Sequence, residues 1–176
     1  MTEERVMIFI DGSNLYNCLK QEFGKSSIDF AKFYQQLAGQ RKLIRTYYYN
    51  ATLPQTPDPK DRLKYASQQK FLDSLSRIPY LELRLGRLEH RPGGLVEKGV
   101  DIKIAVDMLR LAHNNAYDTA ILVSGDGDFA DAVQAVKDMG KHVENACLKT
   151  GQSFHLKQAC DRFILIDANF LSALWL

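Results

Sequence analysis

The chain is poor in the residues that staple small folds by covalent or metal bonds. Its three cysteines, Cys18, Cys147 and Cys160, are widely spaced, form no C-x-x-C pair and are odd in number. A disulfide framework is therefore not expected, and a reducing, cytoplasmic location fits best. The four histidines, His90, His113, His142 and His155, show no ligand spacing, which argues against a zinc site. No apolar run approaches the roughly 20 residues of a membrane helix, so no membrane partner is expected. The acidic start Met1-Thr2-Glu3-Glu4-Arg5 has no basic segment leading into an apolar one, so no secretory signal is expected.

Several common site motifs are missing as well. Gly125-x-Gly127 is followed by no third glycine, so it is not a dinucleotide fingerprint. There is no P-loop lysine motif and no G-x-S-x-G, and Ser13 has no evident histidine partner. Asp126-Gly127-Asp128 is not a calcium loop, because Ala130 stands where a ligand is needed and the closing glutamate is absent.

What is present is an alternation of strands and helices in one domain over residues 1–176, long enough for a core without staples. Val6-Met7-Ile8-Phe9-Ile10 is a continuous apolar run, the pattern of a strand buried on both faces. Further strands are predicted over 43–49, 81–85, 119–123, 142–147 and 163–166. Helices are predicted over 15–23, from about 30 to 38, 62–76, 100–111, 129–139 and 154–159. Leu63, Ala66, Phe71, Leu72 and Leu75 are expected to face inward from the third of these. Residues 51–61, with Pro54, Pro57 and Pro59, read as a loop, and so do residues 90–99 around Pro92-Gly93-Gly94. Leu81-Glu82-Leu83-Arg84-Leu85 alternates strictly, which places it near a sheet edge. The apolar tail over 169–176 is expected to pack on the core or on a second subunit, which makes a homodimer an expectation to test. Together these elements predict an α/β fold with a largely parallel central sheet and helices on both faces.

The carboxylates are concentrated at strand ends. Asp11 ends the first strand, and Ser124-Gly125-Asp126-Gly127-Asp128 follows the apolar Ala120-Ile121-Leu122-Val123. In an α/β sheet, turns at the carboxyl ends of strands are where ligands bind. Asp101 opens a helix, for which a favourable interaction with the helix dipole is a sufficient alternative reason. Asp107 lies six residues on, in a second-shell position or paired with Lys103. Two such charges about 4 Å apart repel by about 4 kcal/mol at an effective dielectric of 20, so a cluster of them calls for a cation. The expected ion is oxygen-loving, Mg²⁺ or Mn²⁺. The net charge of +2 hides a basic middle: residues 41–100 carry 12 Lys/Arg against 6 Asp/Glu, and residues 101–176 carry 7 against 10. A basic segment beside an acidic cluster suits a polyanion held near a bound cation, although a solvated basic face gives the same count.

Three segments resemble one family. They are Val6-Met7-Ile8-Phe9-Ile10-Asp11-Gly12-Ser13-Asn14-Leu15, Lys98-Gly99-Val100-Asp101-Ile102-Lys103-Ile104-Ala105-Val106-Asp107, and Leu122-Val123-Ser124-Gly125-Asp126-Gly127-Asp128-Phe129. In this order and spacing they are similar to the NYN domain, LabA-like branch, of the PIN-like nuclease superfamily. The resemblance implies a PIN-like fold, a three-layer sandwich with a parallel sheet in order 3-2-1-4-5. It also implies Mg²⁺- or Mn²⁺-dependent endoribonuclease activity. By the same resemblance, Asp11, Asp101, Asp126 and Asp128 are the acidic metal cluster. Asn14 and Ser124 are polar partners that orient carboxylates or water, and Lys98 is a phosphate contact. Arg84, Arg87 and Arg91 join Lys98 as candidate RNA-binding residues near Asp101. Tyr47, Tyr48 and Tyr49 offer rings on which bases could stack, though at least one belongs to the core. Asp161 and Asp167 match a structural ending of the family. The alternative to a nuclease is a non-catalytic RNA-binding or regulatory module. A phosphatase or flap-nuclease reading is weaker, since Ser13 stands where an aspartyl phosphatase needs a second Asp.

Overall fold

The computed structural model describes residues 3–176, save the side chains of residues 90, 95 and 97. In chain order the elements are β1 (Arg5–Asp11), α1 (Gly12–Phe23), α2 (Phe30–Ala38), β2 (Lys42–Thr52), α3 (Pro59–Ser76), β3 (Leu81–Arg91), β4 (Gly94–Lys98), α4 (Val100–His113), β5 (Thr119–Val123), α5 (Ala130–Asp138), β6 (His142–Cys147), α6 (Phe154–Ala159), β7 (Arg162–Leu165) and α7 (Ala168–Leu171). One sheet runs β4-β3-β2-β1-β5-β6-β7. Every neighbouring pair is parallel except β3 and β4. The six parallel strands thus carry the expected order, extended by β7 at one edge and by an antiparallel β4 at the other.

The hydrophobic pattern explains the layers. On β1, Ile8 and Ile10 pack into one core with Phe33, Leu72, Leu75 and Leu171, from α2, α3 and α7. Phe9 points the other way, into a second core with Ile104, Met108, Val133 and Leu156, from α4, α5 and α6. Ile8, Phe9 and Ile10 are wholly buried, as a central parallel strand requires. Strand order reverses at β1, whose neighbours are β2 and β5. The carboxyl ends of β1 and β5 therefore flank the crevice at the topological switch point.

Several sequence expectations need correction. Residues 90–99, read as a loop, form a hairpin: Arg87 pairs with Lys98 and Arg91 with Gly94, around the turn that Pro92-Gly93 supplies. The helix after β1 begins at Gly12 rather than near residue 15, because the Asp11 side chain accepts from the Asn14 N–H and caps it. The third helix begins at Pro59, with Asp58 as its cap and the proline in its first turn. Leu63 and Ala66 do not face the core: both are exposed, and α3 buries only Leu72 and Leu75. Tyr47, Tyr48 and Tyr49 are all buried, so none presents an open ring face for stacking.

The carboxyl-terminal segment packs on its own chain, the first of the two expected placements. Leu171 and Leu174 are buried in the first core, and Phe170 packs on Phe33. Trp175 packs on Phe23 and bridges to Ile28. Most of the apolar surface that suggested a homodimer thus packs on this chain's own core, while Leu176 stays exposed. Asp161 accepts from the Val143 N–H and pairs with Lys137, and Asp167 caps α7, both structural tasks. No described helix is long and apolar enough to cross a membrane.

Candidate active site

The chemistry gathers where β1 and β5 end side by side. Asp11 is the last residue of β1 and is 5% exposed. A carboxylate this buried is tolerated only with good hydrogen bonds. Its Oδ1 accepts from the Asn14 N–H at 3.0 Å, and its Oδ2 accepts from the Ser124 hydroxyl at 3.1 Å. The amino terminus of α1 adds favourable dipole density. The same Ser124 Oγ accepts from the Asp126 N–H at 3.2 Å. Asn14 crosses the gap a second time, its Oδ1 accepting from the Gly125 N–H at 3.0 Å. Side chains from the β1 end and backbone from the β5 end are therefore locked into one hydrogen-bonded unit.

Asp126 then begins a single 3-10 turn, Gly127–Phe129, by accepting from the Asp128 N–H at 2.9 Å. Asp126 is half-buried and Asp128 exposed, and neither carboxylate is in an ion pair among the described residues. Capping alone explains an oxygen at these places but not a charge, since Asn and Ser cap about as well as Asp. Asp101 sits on the exposed first turn of α4, just after Gly99.

The glycines of both turns answer to packing. A Cβ on Gly12 would lie 2.5 Å from the Tyr48 ring, and one on Gly125 would lie 2.0 Å from the Gly151 carbonyl oxygen. The loop after β6 thus presses directly on the Ser124–Asp128 turn. Sequence reasoning missed this support, and it missed Asn145. This residue is buried on β6 and donates to the Leu122 and Ser124 carbonyls at 3.2 and 2.8 Å, holding the end of β5 from its other side. The one signal was an amide in the middle of a predicted strand. Asp11 also colours its surroundings: burial first, and then its negative charge, raise the Tyr48 hydroxyl above the ordinary tyrosine range.

The remaining candidates are not drawn into this unit. Asp107 is buried but accepts from the Tyr49 hydroxyl at 2.9 Å and from Arg110 at 2.9 Å, with Arg84 at 3.8 Å. Its partners are thus Tyr49 and two arginines rather than Lys103. Burial, and then Asp107, push the Tyr49 hydroxyl far up. Arg84, expected to meet RNA, is committed to Glu82 at 2.8 Å and lies over the Tyr47 ring. Lys98 pairs across the hairpin with Glu89 at 3.2 Å and stays exposed. Arg87 and Arg91 are exposed on β3, with no ion pair among the described residues.

Among the described residues no three His, Cys, Asp or Glu side chains converge as a ready-made metal cage. The donor set nevertheless suits a hard cation of the Mg²⁺ type, which keeps several waters and needs only one or two carboxylates beside substrate phosphate. Asp11 and Asp126 are the carboxylates of that set: the Ser124 hydroxyl donates to the Asp11 carboxylate and accepts from the Asp126 backbone N–H, which fixes the turn that carries the second one.

Comparison with known proteins gives the family and the fold. Residues 5–167 match the NYN domain. The chain is 26% identical over 167 residues to the low amplitude and bright protein LabA of Synechococcus elongatus, covering 91% of this chain and 82% of that one. It superposes with a TM-score of 0.74 on the crystal structure of a Vibrio parahaemolyticus protein of unknown function, at 25% identity and with 94% of each chain covered. With the match spanning the sheet and both strand-end turns, this chain belongs to the NYN domain family, a family of PIN-like nucleases.

Proposed function

We propose that the protein is a metal-dependent endoribonuclease that hydrolyses RNA phosphodiester bonds at the joined ends of β1 and β5. The observation that carries this reading is the Asp11–Ser124–Asp126 linkage. Two carboxylate-bearing turns on adjacent parallel strands are fixed to each other through one hydroxyl, at the switch point of the sheet. Folding needs a cap at each place but not two negative charges.

In this reading Asp11 and Asp126 hold Mg²⁺ or Mn²⁺, with Asp101 as a further oxygen ligand from α4 and Asp128 as an outer or second-site carboxylate. When bound, such an ion supplies Lewis-acid polarisation of the phosphodiester and a nucleophilic water at neutral pH. Ser124 fixes the orientation of the Asp11 carboxylate by donating to it. Asn14 holds the β5 turn in register with β1. Lys98, Arg87 and Arg91, exposed on the hairpin that leads to Asp101, attract the RNA backbone. Arg84 contributes its charge from behind, fixed by Glu82.

One observation favours the second reading, a non-catalytic RNA-binding or regulatory module: no three-carboxylate cage forms among the described residues. The test is an RNA-cleavage assay of the purified protein with Mn²⁺, with Mg²⁺ and with EDTA. Metal-dependent internal cleavage is the expected result. Salt-sensitive RNA binding with no product under any metal would give the role to the binding module.

A further inference from the structure

A groove of about 600 Å³ adjoins the Asp11 turn, and no role in the reaction has been given to it. Its near wall is Gly12 and Ser13, the two residues after Asp11, and its floor includes Tyr48 and Phe71. Its volume is that of a small-molecule site rather than of a packing defect.

The α3 wall of the groove is anchored by one polar residue. Gln68 spends both ends of its amide on β2 and the chain just after it, donating to the Ala51 carbonyl at 2.9 Å and accepting from the Leu53 N–H at 2.8 Å. The middle of α3 is thereby tied to the end of β2 beside the groove. Two apolar side chains stay exposed as opposite jaws: Tyr16 on α1, 52% exposed, and Leu63 on α3, 71% exposed. An aromatic ring facing a leucine across a fixed gap suits a flat apolar solute.

The same walls carry hydrogen-bonding edges. Asn50 uses its Oδ1 for the Ala51 N–H at 2.8 Å and the Ser13 hydroxyl at 3.3 Å, which leaves its Nδ2 to donate to a ligand. Asn17 and Ser67 line the groove without a hydrogen bond among the described residues. Lys64 stands on the rim, in a loose and exposed pair with Asp61 at 3.7 Å. A flat solute with polar edges, covalently next to an anion, is the chemistry of a nucleotide.

We infer that this groove is the subsite for an unpaired base of the RNA, next to the phosphate held at Asp11. The inference rests on the nuclease reading and deepens it: the substrate at this point is single-stranded, since a paired base could not enter between Tyr16 and Leu63. Asn50 Nδ2 and the Asn17 amide meet the base edge, Tyr16 stacks on its face, and Lys64 meets the neighbouring phosphate.

The test uses the full chain in EDTA, so that binding is read without cleavage. The probe is a short single-stranded RNA carrying one fluorescent 2-aminopurine, with a duplex of the same length as control. Two variants on exposed positions, Tyr16→Ala and the groove-filling Ser67→Trp, are compared with the wild type after melting curves establish that all three are folded. Stacking is worth about 1–3 kcal/mol per base, so single-strand binding should weaken about fivefold or more in both variants, with the base-stacking signal lost and duplex binding unchanged. Wild-type binding in both variants would overturn the base subsite, while metal-dependent cleavage, assayed separately, would still stand. No RNA binding by any of the three proteins, together with no cleavage, would overturn both.

Discussion

Ser124 Oγ lies 3.1 Å from Asp11 Oδ2 and 3.2 Å from the Asp126 backbone nitrogen, donating to the first and accepting from the second. One hydroxyl thus fixes a buried carboxylate and the turn that carries the next one. Ser124→Ala should remove one hydrogen bond from a buried carboxylate and one from the Asp126 N–H, at a cost of about 1–3 kcal/mol. Cleavage should fall by about tenfold or more while the metal dependence persists, because both carboxylates remain. Chemical denaturation and initial rates on the same preparation check this.

Gly125 tests the mechanical support of the site. Its Cβ would stand 2.0 Å from the Gly151 carbonyl oxygen, and backbone cannot move aside cheaply. Gly125→Ala should therefore lose about 2–3 kcal/mol by overpacking. For a chain of this size that is a fall in Tm of roughly 5–10 °C. Gly127→Ala should be milder, because its nearest neighbour, at 2.7 Å, is the Ser153 hydroxyl, whose displacement costs only its cap bond from the Leu156 N–H at 3.3 Å and moves no backbone. Calorimetric scans that ranked the two in the reverse order would contradict the packing account.

Asp107 is held by Tyr49, Arg110 and Arg84 and so belongs to the architecture. Tyr49→Phe removes the hydroxyl alone, leaving both arginines. The expected loss is about 1 kcal/mol of stability, with cleavage within about twofold of the wild type. A large loss of rate with unchanged stability would instead give Asp107 a role in the reaction.

Much of this was legible in the sequence, for identifiable reasons. A strand buried on both faces must be continuously apolar, so Val6 to Ile10 announced the sheet centre, and the Asp-Gly turns marked the ends of β1 and β5, neighbours at the switch point. The hairpin over 90–99 was hidden because its strand pairing offsets the low strand propensity of Pro92-Gly93-Gly94 and its neighbours. The open half of α3 was hidden too: Leu63 fits an inward stripe, but the core ends at Phe71, Leu72 and Leu75, and how far a core reaches along a helix is a tertiary property. Arg84 read as a free cation although its nearer partner, Glu82, lies two positions back on the same face of β3; only the longer contact, to Asp107 23 positions on, is hidden from local pattern. Asn145 and Gly151 act on the site from another loop and strand, which local pattern does not register.

Asp118 should set part of the acid limb of stability. Arg5 donates to it from its guanidinium and its backbone N–H, and these bonds hold its carboxyl down to about 2. A lowered pKa stabilises the fold above the ordinary carboxylate range, and that contribution is lost as the pH falls from about 4 to about 2. The carboxylate is 38% exposed, so solvent screening limits the pair to about 1 kcal/mol. Asp118→Asn should be less stable than the wild type by about that amount at pH 7, and the two should converge near pH 2. Denaturant midpoints across this range check it.

The claim on which the rest depends is that the charges of Asp11 and Asp126, not their capping, are what the site requires. Asn caps about as well as Asp, so Asp11→Asn and Asp126→Asn should keep the wild-type fold and melting temperature within about 1 kcal/mol. The direct measurement is the rate of single-stranded RNA cleavage in Mn²⁺ for the wild type and both variants, purified in parallel, with a melting curve for each. The account predicts metal-dependent cleavage by the wild type and a loss of at least about a hundredfold in both folded variants. Cleavage at the wild-type rate by either folded variant would contradict it.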